Sequence, residues 1–389
     1  MSDLRTRLQK LRPDPIAPSA EPAMPNVAER MARLRPRGEQ RASKEERVIE
    51  LAQSISGEIV APGLVRVERR FALSHAHGRF DMGQARLDNA VYFDTETTGL
   101  AGGTGTVAFV IGSARYLDSC FVATQWLLTE LRGETPMLEL FSQQLGYDDR
   151  LVSFNGKTFD VPLLSTRFRL AGMSDPLQGR AHHDLIHPTR RAFKSQWFDC
   201  RLATVENQLL GVVREDDLPG AMAPFAFTQW LRFGDSGLLS QVLHHNLLDL
   251  LSLATLSHAL DEVYRSPAKS GADVVALARH ALANDDEATA MACLLEAESE
   301  LSAQGRLELA RLYKRRRQWD EAVALWDGLA AEGCADAVEE LAKYAEHRLR
   351  DFAVALRLTQ RLVEQQPHAQ EHQHRQARLL AKVENQESR

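Results

Sequence analysis

Four acidic residues in three separate stretches of the sequence are of the types that carry metal-dependent chemistry. Asp94 and Glu96 lie in VYFDTETTGL, Asp160 ends NGKTFD, and Asp249 ends HHNLLD. On a β-strand, residues two apart point to the same face, so Asp94 and Glu96 would lie side by side at a strand end. Like charges this close repel unless a cation lies between them, and hard divalent cations prefer carboxylate oxygens. The spacing therefore indicates a metal site.

Four carboxylates are enough to support hydrolysis of a phosphodiester bond by two metal ions. Two divalent ions held about 3.5–4 Å apart can clamp the attacking and leaving oxygens of an in-line phosphoryl transfer. A nearby histidine can take the proton of the attacking water, because its pKa lies near neutrality. Helix residues four apart share a face, so His245 rather than His244 would lie beside Asp249. We therefore expect two Mg²⁺ or Mn²⁺ ions, with His245 as the proton acceptor.

Such a site needs a sheet whose strands end beside a long helix, and the apolar pattern predicts one. Strand-like runs occupy residues 90–96, 106–117, 119–128 and 151–155, and the pattern of residues 57–71 is typical of a strand or hairpin. Helical patterns occupy residues 136–145, 160–172, 199–211 and 238–260. Three strands before the first helix, followed by alternation, predict an α/β domain with a sheet of mixed direction.

The C-terminal part of the chain has a different pattern. From about residue 270 it is helical throughout and repeats every 31–32 residues, with an alanine at the start of the second helix of each pair, at Ala290, Ala322 and Ala353. This period is close to that of tetratricopeptide repeats. We therefore predict an all-α, tetratricopeptide-like helical-repeat domain of about three helical hairpins.

These patterns divide the chain into three predicted parts. Residues 1–47 are polar and contain six prolines, which favours a mobile basic segment over an arm that binds nucleic acid. Residues 48–265 would form the α/β domain and residues 266–389 the helical-repeat domain. In the latter, the basic residues Arg311 and 314–317 would form either a solvated helix face or a phosphate-binding strip.

Charge and composition argue against several other classes of protein. The net charge of −6 means that any surface that binds nucleic acid must be local. The four cysteines are far apart and include no CxxC pair, which predicts neither a zinc knot nor a disulfide framework. MSDLRTRLQKLRPDP lacks the apolar core of a signal peptide, and no apolar run is long enough to span a bilayer, so we expect a cytoplasmic protein.

The three acidic stretches resemble the motifs of a known nuclease family. DTETTGL, NGKTFD and HHNLLD are similar to the exonuclease motifs of the DEDD, or DnaQ-like, nucleases of the ribonuclease-H fold. DTETTGLAGGTGTVAFVIGSAR, SFNGKTFDVP, HHDLIHPTRRAF, DDLPGAMAP and HNLLDLLSL more closely resemble the YprB-type ribonuclease-H-like proteins of bacteria, over residues 60–265. The resemblance implies a ribonuclease-H-like mixed sheet with flanking helices and a 3′–5′ exonuclease acting on DNA or RNA.

The resemblance also implies roles for individual residues. The metal ligands would be Asp94, Glu96, Asp160 and Asp249. The residues in contact with the substrate would be Thr97, Thr98, Gly99, Leu100, Asn155 and Lys157. Of these, Leu100 would pack on a base, and Lys157 would either neutralise a phosphate or cover the start of a helix.

Three alternatives stay open at the level of sequence. DEDD enzymes have a histidine five residues, or a tyrosine four residues, before the last aspartate, and this chain has histidines at both spacings, His244 and His245. Asp184, in HHDLIHP, is a candidate helix cap rather than a fifth ligand. The rival function is a scaffold that binds nucleic acid with little turnover, and whose helical repeats recruit a protein partner.

Overall fold

A seven-stranded mixed sheet forms the centre of the computed structural model, which describes residues 43–99, 104–215 and 217–387. Its strands are β1 (Glu58–Ala61), β2 (Leu64–Ala72), β5 (Ala90–Thr97), β6 (Ala108–Leu117), β7 (Cys120–Leu128), β8 (Arg150–Ser153) and β9 (His182–Asp184). Two short strands, β3 (Ala76–His77) and β4 (Phe80–Asp81), pair with each other outside this sheet.

The strand order is β1-β2-β7-β6-β5-β8-β9. β8 and β9 run parallel to β5, whereas the neighbouring strands from β1 to β5 are antiparallel. The predicted sheet of mixed direction is therefore confirmed, and residues 57–71 contribute the β1–β2 hairpin. β9 was not predicted, because its three residues are too few for alternation to be visible in the sequence.

Seven helices of the described chain belong to the part that contains the sheet. They are α1 (Lys44–Ser54), α2 (Glu134–Gln143), α3 (Asp160–Leu170), α4 (Ile186–Phe193), α5 (Leu202–Val205), α6 (Ala223–Phe233) and α7 (Leu239–Arg265). The predicted helices 136–145, 160–172 and 238–260 correspond to α2, α3 and α7. The predicted helix 199–211 corresponds to α5 followed by a π-helical turn, Glu206–Leu210. α1, α4 and α6 were not predicted.

Two apolar cores cover the two faces of the sheet. Neighbouring residues of β5 point into opposite cores, Phe93 into the one beneath α2, α3 and α6, and Tyr92 into the other. The long helix α7 belongs to both, because Leu243 packs in the first core and Leu250 in the second. α7 therefore passes close to β5, which positions polar residues of α7 beside the acidic end of that strand.

The rest of the described chain is all helical, as predicted. Its helices are α8 (Val274–Ala283), α9 (Glu287–Glu296), α10 (Ala303–Arg315), α11 (Trp319–Ala331), α12 (Ala335–Tyr344), α13 (Phe352–Gln365) and α14 (Gln370–Glu387). The helices pack as successive pairs, α8 with α9, α10 with α11, and α12 with α13. The last helix, α14, packs on α13. Ala290 and Ala322 are buried as the repeat pattern predicts, but Ala353 is exposed and Ala355 takes the buried position.

The helical region packs directly on the part that contains the sheet. Phe193 of α4 and Val263 of α7 form a small core with Ala272 and Leu277, and Asp273 N donates to Ala192 O at 2.7 Å. The chain divides into a short unit, residues 1–47, and a large unit, residues 48–389, which contains both the sheet and the helical region. The boundary at residues 265 and 266 stays a prediction. In the described residues, no helix is both long and apolar enough to cross a membrane.

Candidate active site

Three elements bring the four predicted carboxylates to one end of β5. Asp94 and Glu96 lie on β5, Asp160 is the first residue of α3, and Asp249 lies in the middle of α7. Thr95 Oγ1, between the two β5 carboxylates, donates a short hydrogen bond to Asp160 Oδ1 and so ties α3 to the strand. Asp94 and Asp249 are 155 residues apart in sequence, so it is the fold that brings them together.

Asn246 of α7 ties the helix to the same strand. Its Nδ2 donates to Asp94 Oδ2 at 2.8 Å, and its Oδ1 accepts from Gln125 Nε2 at 2.8 Å. Gly112 of β6 lies opposite Asp94 in the sheet register, and a Cβ on it would lie 2.2 Å from Asn246 Oδ1. Because glycine has no Cβ, it leaves the space in which the asparagine reaches the carboxylate.

Burial and the repulsion between neighbouring carboxylates disfavour the ionised form of these carboxyl groups. Burial raises the pKa of Asp94 well above its ordinary value, and the charges of Asp249 and Asp160 raise it further. The pKa of Glu96 is raised well above its ordinary value for the same reasons. Burial also raises the pKa of Asp160 to about 6, although the hydrogen bond from Thr95 opposes the shift. A cation among these groups would relieve both the repulsion and the loss of hydration.

Arg214 is a cation at this site that the sequence did not predict. Its guanidinium donates to Asp249 Oδ1, to both carboxylate oxygens of Glu206 at 2.5 and 2.8 Å, and to Asp217 Oδ2 at 3.0 Å. Burial disfavours its charge, but Asp249 and Glu206 more than compensate, so the pKa of Arg214 lies above its ordinary value. The arginine thus neutralises part of the charge of the acidic cluster through its contact with Asp249 of α7.

His245 lies between Asp217 and Asp249. Its Nδ1 is 2.7 Å from Asp217 Oδ2, and its Nε2 is 3.8 Å from Asp249 Oδ2. Arg214 Nη1 also lies 3.2 Å from Nδ1. When Nδ1 donates to the Asp217 carboxylate, Nε2 has a free lone pair on the side of the acidic cluster. His244 is exposed on another face of α7 and lines cavities there. The role of His245 as proton acceptor remains a prediction.

The loop after β8 carries two of the predicted substrate-binding residues. Asn155 adopts a left-handed conformation with φ of 68°, and its N–H donates to Asp184 Oδ1 at 2.6 Å. The N–H of Lys157 donates to Asp184 Oδ2 at 2.9 Å. Asp184 is buried and holds this loop, and its Oδ1 also accepts from the N–H of Ile186, the first residue of α4, at 3.3 Å. The side chain of Lys157 lines a cavity of about 340 Å³ together with His183.

The other predicted substrate-binding residues follow β5. Thr97 Oγ1 donates to Gly99 O at 2.9 Å, and Thr98 Oγ1 accepts from Val107 N at 3.0 Å. Both hydroxyl groups therefore fix the backbone at the end of the strand. Leu100 lies outside the described residues. The substrate contacts of all six residues remain predictions.

The chemistry of the donor set suits a hard divalent cation, since four carboxylates converge without a soft thiolate ligand. Within the described residues, however, no three side chains of histidine, cysteine, aspartate or glutamate are already arranged around a common metal position. One oxygen each of Asp94, Asp160 and Asp249 accepts a hydrogen bond, from Asn246, Thr95 and Arg214 respectively. The residues therefore fit a metal by type and charge.

Two comparisons with known proteins point to the same family. The RNase_H_2 family model, of the RNase_H superfamily, matches residues 91–261, which include the four carboxylates. The uncharacterized protein YprB of Bacillus subtilis (strain 168) is 32% identical over 325 residues, which cover 75% of this chain and 78% of that protein. The chain belongs to the YprB-type ribonuclease-H-like family. That assignment confirms the resemblance drawn from the acidic motifs.

A solved structure of a family B DNA polymerase from Pyrobaculum calidifontis also matches, at 14% identity and a TM-score of 0.33. The match covers 69% of this chain but only 35% of the polymerase. Likeness at this level adds nothing to the family assignment.

Four residues of this YprB-type site were not assigned from the sequence. Asn246 and Asp217 lie inside stretches that carry the family resemblance, HNLLDLLSL and DDLPGAMAP, so their position in those motifs was the available signal. Arg214 and Glu206 lie in a loop and a π-helical turn. Residues that pair across such elements have no regular spacing in the sequence, so periodicity could not predict the pair of Arg214 and Glu206.

Proposed function

We propose that this chain is a metal-dependent nuclease, and more specifically a 3′–5′ exonuclease that uses two Mg²⁺ or Mn²⁺ ions. The observation that carries the proposal is the grouping of Asp94, Glu96, Asp160 and Asp249 at the buried end of β5. Burial raises the pKa of Asp94, Glu96 and Asp160, and the charges of Asp249 and Asp160 raise the pKa of Asp94 and Glu96 further. Membership of the ribonuclease-H-like family and a nuclease-type fold support it.

The bound ions would supply Lewis-acid activation of the phosphate and of the attacking water. His245 Nε2 would accept the proton of that water, because Asp217 holds the other ring nitrogen and fixes the ring. The protonated ring would then lie between two carboxylates, Asp217 and Asp249, which stabilise its charge. Asn246 would keep Asp94 in place through the reaction.

The nucleic acid would enter along the loops that follow β5 and β8. Thr97, Thr98 and Gly99, with Leu100, would hold the terminal nucleotide, as the family resemblance implies. Asn155 and Lys157 would contact the adjacent backbone, with the Lys157 ammonium group close to a phosphate. In the described structure the Lys157 side chain makes no ion pair, so its charge is available for such a contact.

The test is cleavage of labelled single- and double-stranded DNA and RNA by the purified full chain, with Mn²⁺, with Mg²⁺ and with chelator. We expect hydrolysis with either metal and none in chelator, because the carboxylates need a cation to bind the phosphate. Asp148→Asn changes an exposed carboxylate outside the cluster. It controls for the general effect of removing one carboxylate and should retain activity. Full activity in chelator would rule out the proposed chemistry, and tight binding without turnover would favour the scaffold function.

A further inference from the structure

Arg214 is held by a buried carboxylate outside the group of four proposed ligands as well as by Asp249. Its guanidinium forms a bidentate pair with Glu206, whose side chain is 1% exposed against 10% for the arginine. Glu206 also accepts from Ser252 Oγ, which lies 2.7 Å from the Nε2 atom of the buried His77. A charge that is paired in this way is costly to move into water, because Glu206 would be left buried and unpaired.

From this anchored position Arg214 takes up a lone pair that a metal would need. Nη2 donates to Asp249 Oδ1 as well as to Glu206 Oε1, so a single nitrogen bridges the two carboxylates. A divalent ion binds carboxylates through the same oxygen lone pairs, and its charge is repelled by a guanidinium at contact distance. Arg214 and a metal therefore compete for Asp249.

We propose that Arg214 is the resident counter-charge of this site: it holds Asp249 while no metal is bound, and a metal ion has to displace it from that carboxylate. This inference rests on the proposed function, which makes Asp249 a metal ligand. Glu206 and Asp217 keep the arginine in place after it leaves Asp249, since three of its four carboxylate contacts do not involve that residue. Arg214 thereby lowers the affinity for metal and keeps the empty cluster from repelling itself apart.

The experiment measures Mn²⁺ binding to the full chain without nucleic acid, by the electron paramagnetic resonance signal of the free ion. Arg214→Gln removes the charge, whereas Arg214→Lys retains it. Arg214→Gln combined with Glu206→Gln removes the charge without leaving a buried unpaired carboxylate, in case the single variant fails to fold. The matched control is Arg115→Gln, which breaks another arginine–carboxylate pair, with Asp149, beside the opposite end of the sheet.

We expect the charge-removing variants to bind Mn²⁺ about 10- to 100-fold more tightly, the scale on which one neighbouring charge at contact distance changes an ionic equilibrium. Arg214→Lys and Arg115→Gln should stay within a few-fold of the wild type. If the wild type binds Mn²⁺ and the charge-removing variants bind it equally or more weakly, Arg214 is not a competitor and the inference is wrong. If no form of the protein binds Mn²⁺, the proposed metal-dependent function fails, and the inference fails with it.

Discussion

His245 Nδ1 lies 2.7 Å from Asp217 Oδ2, while the opposite ring nitrogen points to Asp249 at 3.8 Å. The two aspartates therefore fix the orientation of the ring. Burial raises the pKa of Asp217, but Arg214 and His245 lower it by more, so the pKa lies below its ordinary value and this carboxyl is ionised at neutral pH. Such a partner is what a histidine needs if it is to act as a base through Nε2.

Asp217→Asn should therefore reduce kcat by about 10- to 100-fold with little change in KM, since ring orientation is lost but the substrate contacts are not. The acidic limb of the pH–rate profile should move to lower pH, because the protonated ring loses an anionic neighbour. The measurement is the profile of the variant beside that of Asp320→Asn, which changes an exposed carboxylate of α11. An unchanged profile with reduced activity would indicate a structural role only.

His245→Ala should lower the rate by about 10²- to 10⁴-fold, the usual contribution of a general base. His244→Ala should have little effect, because that side chain is exposed and makes no contact with the four carboxylates in the described structure. The two variants are compared in single-turnover cleavage at saturating Mn²⁺. If His244→Ala is the damaging change, the histidine spacing of five residues before the last aspartate applies instead.

The Asp160 carboxyl should contribute stability to the metal-free protein that is lost as pH rises from about 4 to about 6. The pKa of Asp160 is raised from 3.8 to about 6 in the folded state, so the folded chain binds more protons than the unfolded chain in this window. The contribution of this carboxyl to the free energy of unfolding then falls with pH across the window. Asp160→Asn should flatten that part of the dependence, as urea denaturation in chelator at several pH values would show. A wild-type stability that rises through this window just as steeply as that of Asp160→Asn would contradict the account.

Leu277→Ala in α8 tests whether the helical region supports the part that contains the sheet. Leu277 is 4% exposed and shares a core with Phe193 and Val263, so the substitution should cost about 2–5 kcal/mol of unfolding free energy. Leu380→Ala in α14 is a surface control, since Leu380 is 42% exposed. Equal effects of the two changes on the denaturation midpoint would mean that the two parts fold independently.

The sequence predicted those features that depend on local pattern. Apolar runs located β5 to β8, and the three acidic motifs located the carboxylates, because motif residues occupy strand ends and helix starts that pattern can find. The basic run of α10 shows the limit: Arg311, Arg315 and Arg316 pair with Glu308 or Glu287, and Lys314 pairs with Glu340. Such partners lie up to 29 residues away, beyond any periodic pattern, and their presence favours a solvated face over a phosphate-binding strip.

The role of Arg214 was out of reach of the sequence for the same reason. Its contact with Asp249 spans 35 residues and begins in an irregular loop. A carboxylate motif can be recognised without its counter-charge, since the motif is local and the counter-charge is set by tertiary packing. The structure adds the cation, the Asp217–His245 pair and Asn246 to a cluster whose four acids the sequence already indicated.

We propose that the site built on these carboxylates hydrolyses a nucleic acid from its 3′ end. The most direct measurement is a time course on a 5′-labelled single-stranded oligonucleotide with Mn²⁺, for the wild type and for Asp94→Asn. We expect a ladder that shortens one nucleotide at a time for the wild type. For Asp94→Asn we expect a rate that is lower by orders of magnitude in a protein that stays folded, since the substitution removes a ligand charge and almost no volume. A wild type that leaves the oligonucleotide intact, or an Asp94→Asn variant that shortens it at the wild-type rate, would contradict it.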